Sequence, residues 1–188
     1  MIYIILGCLA FIILTMFDQN KYKQIHNYLN LCFPTGILIL AFSTVAILLN
    51  GFASFALPLF FRMVFYALAV LSLILQLYTL FFALPFSKTY VNLGKGNQVI
   101  DTGMFALCRH PGVIWFFFFY LFLWVASGKM TVLWAGIIWT ILDILHVYIQ
   151  DRWYFPKILN EYNLYITRVP FLIPNKNSLK NAFQMKKY

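Results

Sequence analysis

Charge is what this chain has least of, and negative charge least of all: Asp and Glu number 5 against 14 Lys and Arg, and charged residues make up 10% of the 188 positions. A soluble domain carries about a quarter charged residues, so this sequence cannot build a water-facing surface of the ordinary kind. Polar linkers and low-complexity stretches are missing as well. No period of about 20 to 50 residues recurs, which excludes a solenoid or propeller and leaves one unrepeated unit. The cysteines, Cys8, Cys32 and Cys108, form no CxxC and fall in or beside apolar runs. They suggest neither a disulfide framework nor a zinc site, and read as small packing residues.

What fills the chain is apolar: 63% hydrophobic and 20% aromatic, with a mean hydropathy of +0.81. Five runs stand out: Ile2 to Phe17, Leu31 to Leu49, Met63 to Leu84, Val113 to Ser127 and Met130 to Tyr148. They approach the roughly 20 residues a helix needs to cross about 30 Å of hydrocarbon, although the first and fourth are short. Backbone polar groups in lipid must be satisfied within the segment, so these runs are expected to be helices. They lack the alternation of barrel strands. No basic residue precedes the first run and no small-x-small site follows Phe17, so a retained helix is expected rather than a cleaved signal. Only Gly128 and Lys129 separate the fourth and fifth runs, which requires a tight antiparallel hairpin. The expected fold class is all-α: a polytopic membrane protein with about five transmembrane helices, the last two a tight helical hairpin.

The net charge of +9 reports topology in such a chain. With five spans, one face receives Lys21, Lys23, Lys88, Lys95, Arg109, Arg152, Lys157, Arg168, Lys176, Lys180, Lys186 and Lys187, and the other only Arg62 and Lys129. The positive-inside bias places the C-terminus in the cytoplasm and the N-terminus outside. Nucleic acid is not an expected partner, and no obligate protein partner is inferred. The bilayer is the expected partner, with the basic tail, 176–188, attracted to anionic headgroups.

Side chains suited to chemistry gather in two stretches, 87–111 and 150–174, that bracket the helical hairpin. Gly103-x-Phe105-x-x-x-Arg109-His110-Pro111 opens the hairpin, Gln150-Asp151 closes it, and Tyr162-x-x-Tyr165, Val169-Pro170 and Pro174 follow. In order and spacing this resembles the isoprenylcysteine carboxyl methyltransferase and phospholipid methyltransferase superfamily, over about residues 87 to 175. The pattern there is Gly-x-Tyr, Arg-His-Pro-x-Tyr-x-Gly, a hairpin, Glu-Glu and a trailing Tyr-x-x-Tyr. This chain departs from it at Phe105, Val113, Trp115 and the pair Gln150-Asp151.

The resemblance implies three segments: helices 1 to 3 in 1–86, a cofactor-binding unit with helices 4 and 5 in 87–175, and the tail. It implies S-adenosylmethionine as cofactor and a lipophilic small-molecule or lipidated acceptor carrying a carboxylate, thiol or amine. Cofactor contacts carry over to Gln98, Val99, Ile100, Gly103, Phe105, Arg109, His110, Pro111, Gln150 and Asp151. Pro111 suits the first turn of a helix, whose free N–H groups can seat an anion. On the fifth helix Asp143, His146 and Gln150 are three and four apart and share a face. Ionisable groups are costly in a span and usually face a cavity, so Asp143 and His146 are the catalytic candidates on the substrate side. A non-catalytic membrane scaffold of the same fold and a membrane NADPH-dependent reductase are the alternatives.

Reporter fusions check the topology. A fusion after Asn50 is expected to report the outer side and one after Lys187 the cytoplasm; two cytoplasmic results would break the five-span reading.

Overall fold

The computed structural model describes residues 1–82 and 97–184. The expected boundary at 86/87, together with Lys88, Lys95, Lys186 and Lys187, lies outside the described residues. Helices dominate: α1 (Ile2–Lys23), α2 (Cys32–Asn50) after a 3₁₀ turn at Asn27–Leu31, α3 (Leu59–Phe81), α4 (Met104–Leu107), α5 (Pro111–Ser127) and α6 (Met130–Ile149). A π-helical turn at Gln150–Tyr154, then α7 (Phe155–Ile158), α8 (Tyr162–Arg168) and α9 (Lys176–Gln184) complete them. Two short strands, β1 (Asn97–Gln98) and β2 (Leu159–Asn160), pair in parallel.

Four of these helical stretches are long and apolar enough to cross a membrane: Ile2–Lys23, Asn27–Asn50, Leu59–Phe81 and Met130–Ile158. The expected fourth span, α5, has 17 residues and is shorter than those. Length and composition therefore support four crossings where the apolar runs suggested about five. The first run also ends later than expected. α1 continues past Phe17 to Lys23, closed by Gln24 in the left-handed conformation with its N–H on the Asn20 carbonyl at 2.7 Å. Lys21 and Lys23 lie in this last turn, where the helix dipole favours cations. Asp18, assigned to a loop by the run boundaries, is thereby helical.

The bundle is apolar outside as well as inside. On α1 the exposed residues Ile2, Ile5, Leu9, Ile12 and Met16 recur every three or four positions, so a whole stripe of large apolar side chains faces outward. Its buried side carries Gly7, Ala10 and Phe11. A soluble protein could not expose such a stripe at this scale, and a bilayer is the environment that suits it. Association in lipid rests on close packing rather than on water exclusion, which favours small residues between helices. Ser43 on α2, Ala69 and Ser72 on α3, and Ala135 and Gly136 on α6 are buried accordingly.

α3 packs along α5, α1 along α2, and α5 along α6, as the two-residue connection at Gly128-Lys129 requires. Gly128 sits at φ +67, which ends α5 and lets α6 turn back at once. Trp139 on α6 is fully buried at 0% exposure, and its indole N–H donates to the Ile4 carbonyl at 3.0 Å. This large ring fits because α1 offers Gly7 beneath it; a methyl group there would collide with the indole. Tyr120 on α5 meets Trp139 edge-on at 5.3 Å and shares a hydrogen bond of 2.6 Å with Thr44 on α2.

Replacing Gly7 by Val forces side chain into the Trp139 ring and is expected to cost about 1–3 kcal/mol, the usual penalty of overpacking. A lower melting temperature in detergent micelles, with helicity retained, checks it; an unchanged melting temperature would contradict this packing of α1 on α6.

Candidate functional site

Pro111 is the first residue of α5, as its fixed φ favours. This directs the two preceding residues, Arg109 and His110, across the mouth of the bundle. They are gripped there by the C-terminal segment: the Arg109 N–H donates to the Pro170 carbonyl at 2.9 Å and the His110 N–H to the Phe171 carbonyl at 3.2 Å. Val169-Pro170 thus lies directly against Arg109-His110-Pro111.

The side chains converge on Asp151, which is 1% exposed. Arg109 donates to it twice, from Nε to Oδ1 at 2.8 Å and from Nη2 to Oδ2 at 3.0 Å. The Tyr162 hydroxyl donates to Oδ1 at 2.7 Å, and His110 Nε2 lies 3.2 Å from the same oxygen. The remaining Arg109 nitrogen, Nη1, donates to the Ile166 and Val169 carbonyls at 3.1 and 2.6 Å. Four of the five guanidinium N–H groups are therefore committed within the protein. Charge-assisted, two-pronged pairing of this kind is the strong form of hydrogen bond. Removing one partner of a buried pair costs about 3–5 kcal/mol because the other charge is left uncompensated.

Aromatic rings enclose the pair. His110 lies nearly parallel to Phe155 at 6.1 Å and edge-on to Phe171 at 5.1 Å, and the Arg109 guanidinium sits over Phe171 at 5.6 Å. Burial holds the His110 pKa below its ordinary value although Asp151 pulls it upward, and Nε2, facing a carboxylate oxygen that can only accept, is the donor of that contact. Burial, with help from Asp151, raises the Tyr162 pKa and keeps its hydroxyl a donor. Cys108 is pushed up to about 11 by burial, so its thiol is not ionised at neutral pH and acts as packing.

Gln150 does not join this cluster. It begins the π-helical turn, a local widening often found where a helix carries function. Gln150 faces α1 while Asp151 faces the Arg-His-Pro segment. The Gln150 amide donates to Asp18 Oδ2 at 2.8 Å and lies 3.2 Å from His146 Nε2. His146 Nε2 is 3.2 Å from Asp18 Oδ2, and its Nδ1 is 3.1 Å from the Thr15 hydroxyl.

The remaining candidates are distributed as follows. Phe105 is buried, and its carbonyl accepts from the Tyr165 hydroxyl at 2.7 Å. Gly103 precedes α4 at φ +61, with none of the described residues within 4 Å of where a Cβ would stand, so among them the main chain borders open space there. Val99 packs against the Tyr162, Tyr165 and Val169 cluster, Ile100 is half-buried, and Gln98 pairs through its backbone with Asn160. Asp143 and His146, though on one face of α6, do not bond to each other: His146 turns to Asp18, and Asp143 has no hydrogen-bond partner among the described residues. Thr15, Asp18 and Tyr162 join the networks without having been candidates. Tyr162 was visible in the Tyr-x-x-Tyr spacing. Asp18, an acid at the margin of an apolar run, was the signal for the α1 side.

Among the described residues no group of His, Cys, Asp and Glu could hold a metal ion. Replacing Tyr162 by Phe removes one of the four donors on Asp151 and is expected to lower stability by about 1–3 kcal/mol, the cost of an unmet buried hydrogen bond. Chemical or thermal unfolding in micelles measures it, and no loss would mean that Tyr162 does not bind this carboxylate.

No family model matches the chain, and neither a curated protein nor a solved structure matches it significantly.

Proposed function

We propose that the chain is an integral membrane methyltransferase that uses S-adenosylmethionine and acts on a lipid-like or amphiphilic acceptor. In this reading α5 is the fifth crossing, the N-terminus lies outside and the C-terminus in the cytoplasm. One observation carries it: Arg109, His110, Asp151 and Tyr162, separated by up to 53 positions yet members of one sequence pattern, meet on a single buried carboxylate. The basic residues of the sequence favour the cytoplasmic side for that end of the bundle.

The residues present suit the cofactor in two respects. The main chain from Gln98 to Gly103 borders open space at Gly103, where a ligand can approach the backbone closely. His146 and Gln150 supply polar side-chain atoms, the His146 side chain being 11% exposed. When bound, the cofactor supplies a sulfonium-activated methyl group. The chain's own part is to orient and to exclude water. Asp151 fixes the Arg-His-Pro segment against α8, and the Phe155 and Phe171 rings shield it. Positioning of this kind supplies several kcal/mol of the barrier lowering in two-substrate reactions.

A second reading, a non-catalytic membrane scaffold, is favoured by the saturation of Arg109 and Asp151, whose hydrogen-bonding groups are almost wholly spent inside the protein. Calorimetry of purified protein with S-adenosylhomocysteine separates the two. Saturable binding is expected, weakened by about 1–3 kcal/mol in His110→Ala, which loses a buried hydrogen-bond partner. A folded wild type that fails to bind at millimolar ligand would leave the scaffold.

A further inference from the structure

Most of the negative charge of the chain is spent inside it. Asp151 is committed to Arg109 and Asp18 to Gln150, and of the 5 acids Glu161 alone is exposed among the described residues. Lys21 and Lys23 end α1, while Arg152 and Lys157 stand on the π turn and on α7. None of these four cations forms an ion pair among the described residues, and Glu161, four positions past Lys157, forms none with it. Their counter-charge therefore comes from outside the protein.

Aromatic rings hold these cations in place. The Lys157 ammonium lies over the Tyr22 ring at 4.8 Å, and Tyr22 meets the Tyr154 ring at 6.0 Å. Tyr22 stands between Lys21 and Lys23 in sequence, so this contact brings α7 to the basic end of α1. Lys21 lies over Phe17 at 5.4 Å and Arg152 over Tyr148 at 5.8 Å. A ring beneath a long side chain restrains it and leaves its outward N–H groups free to donate. The level of the cluster is set by the spans: Ile2–Lys23 and Met130–Ile158 both end here, where hydrocarbon gives way to headgroups. Lys23 also lies seven positions past Met16 and eleven past Ile12. It therefore continues the outward apolar stripe of α1, with the ammonium above and the apolar side chains below on one helix face.

We propose that Lys23 and Lys157, gathered around Tyr22, hold the phosphate of one anionic phospholipid, whose acyl chains lie along the Ile12 and Met16 stripe of α1. Lys21 adds to the positive field without closing on the headgroup, since its ammonium rests over Phe17. The occupant is a lipid because cations and apolar stripe are continuous on one face; a free phosphate would use the cations only. It is a fixed neighbour of the bundle and is not consumed. The assignment stands whether or not the chain transfers methyl groups. Its consequence is mechanical: a headgroup bridging Lys23 and Lys157 ties α1 to α7, the helix that follows the π turn carrying Gln150 and Asp151. An anionic leaflet thereby stabilises the end of the bundle where both polar networks lie, as any ligand of the folded state does.

Native mass spectrometry of the purified chain in detergent, titrated with phosphatidylglycerol or phosphatidylcholine, reads the site. One phosphatidylglycerol is expected to bind at least about tenfold more tightly than phosphatidylcholine. Lys23→Gln and Lys157→Gln, both at exposed positions, are each expected to weaken it about fivefold. Lys180→Gln removes the same charge from α9, which packs on α4, and is expected to change it by less than about twofold. Tyr22→Phe keeps the ring and is expected to match the unaltered chain, whereas Tyr22→Leu is expected to behave like Lys157→Gln. Equal binding of the two lipids overturns the site. So does a loss in Lys180→Gln as large as in Lys157→Gln, which would show diffuse attraction to the whole basic face. Displacement of the lipid by equimolar glycerol phosphate shows a site for the phosphate alone and overturns the lipid assignment.

Discussion

The carboxylate of Asp151 is the constraint on which the functional end of this molecule depends. An acid that is 1% exposed is tolerated only if its charge is met at close range. Here Arg109 meets it with two hydrogen bonds, Tyr162 with a third and His110 with a fourth contact. Those partners come from the segment before α5 and from α8, and Asp151 itself from the π turn after α6. Satisfying one buried charge therefore fixes three segments relative to one another. The Arg109 side chain extends the arrangement to the carbonyls of residues 166 and 169, while the backbone of 109 and 110 binds that of 170 and 171.

At the π turn the adjacent residues Gln150 and Asp151 meet different partners. Widening the helix at residue 150 sends adjacent side chains to different neighbours. Asp151 faces a guanidinium and must be an acid. Gln150 faces Asp18, where a second carboxylate would repel the first and an amide can donate. Asp151 thus meets the Arg109 guanidinium and Gln150 the Asp18 carboxylate. They lie side by side at the end of the bundle to which the sequence assigns most of the basic residues.

Much of this architecture was legible in the apolar runs, because helix length and hydropathy follow from the thickness of the hydrocarbon layer. The hairpin was equally legible, since two residues allow no other connection. The helix ends were not. Apolarity stops at Phe17, but hydrogen bonding carries α1 to Lys23, and with it Asp18 turns from a loop residue into a partner of α6. Periodicity placed Asp143, His146 and Gln150 on one face correctly, yet could not say which of them would pair, since His146 finds its acid 128 positions away on α1 rather than three positions away on its own helix. Arg109 and Asp151 were both candidates as cofactor contacts. That they bind each other depends on how the segment around α8 folds back, which no local spacing encodes.

A double-mutant cycle on Arg109 and Asp151 tests most directly whether this buried pair organises the end of the bundle. Stability is measured for Arg109→Leu, Asp151→Leu and the double variant in the same micelles. The account predicts that each single change costs about 3–5 kcal/mol, by stranding the opposite charge, and that the double variant recovers much of the loss. Costs that simply add would show that the two residues do not depend on each other and would contradict it.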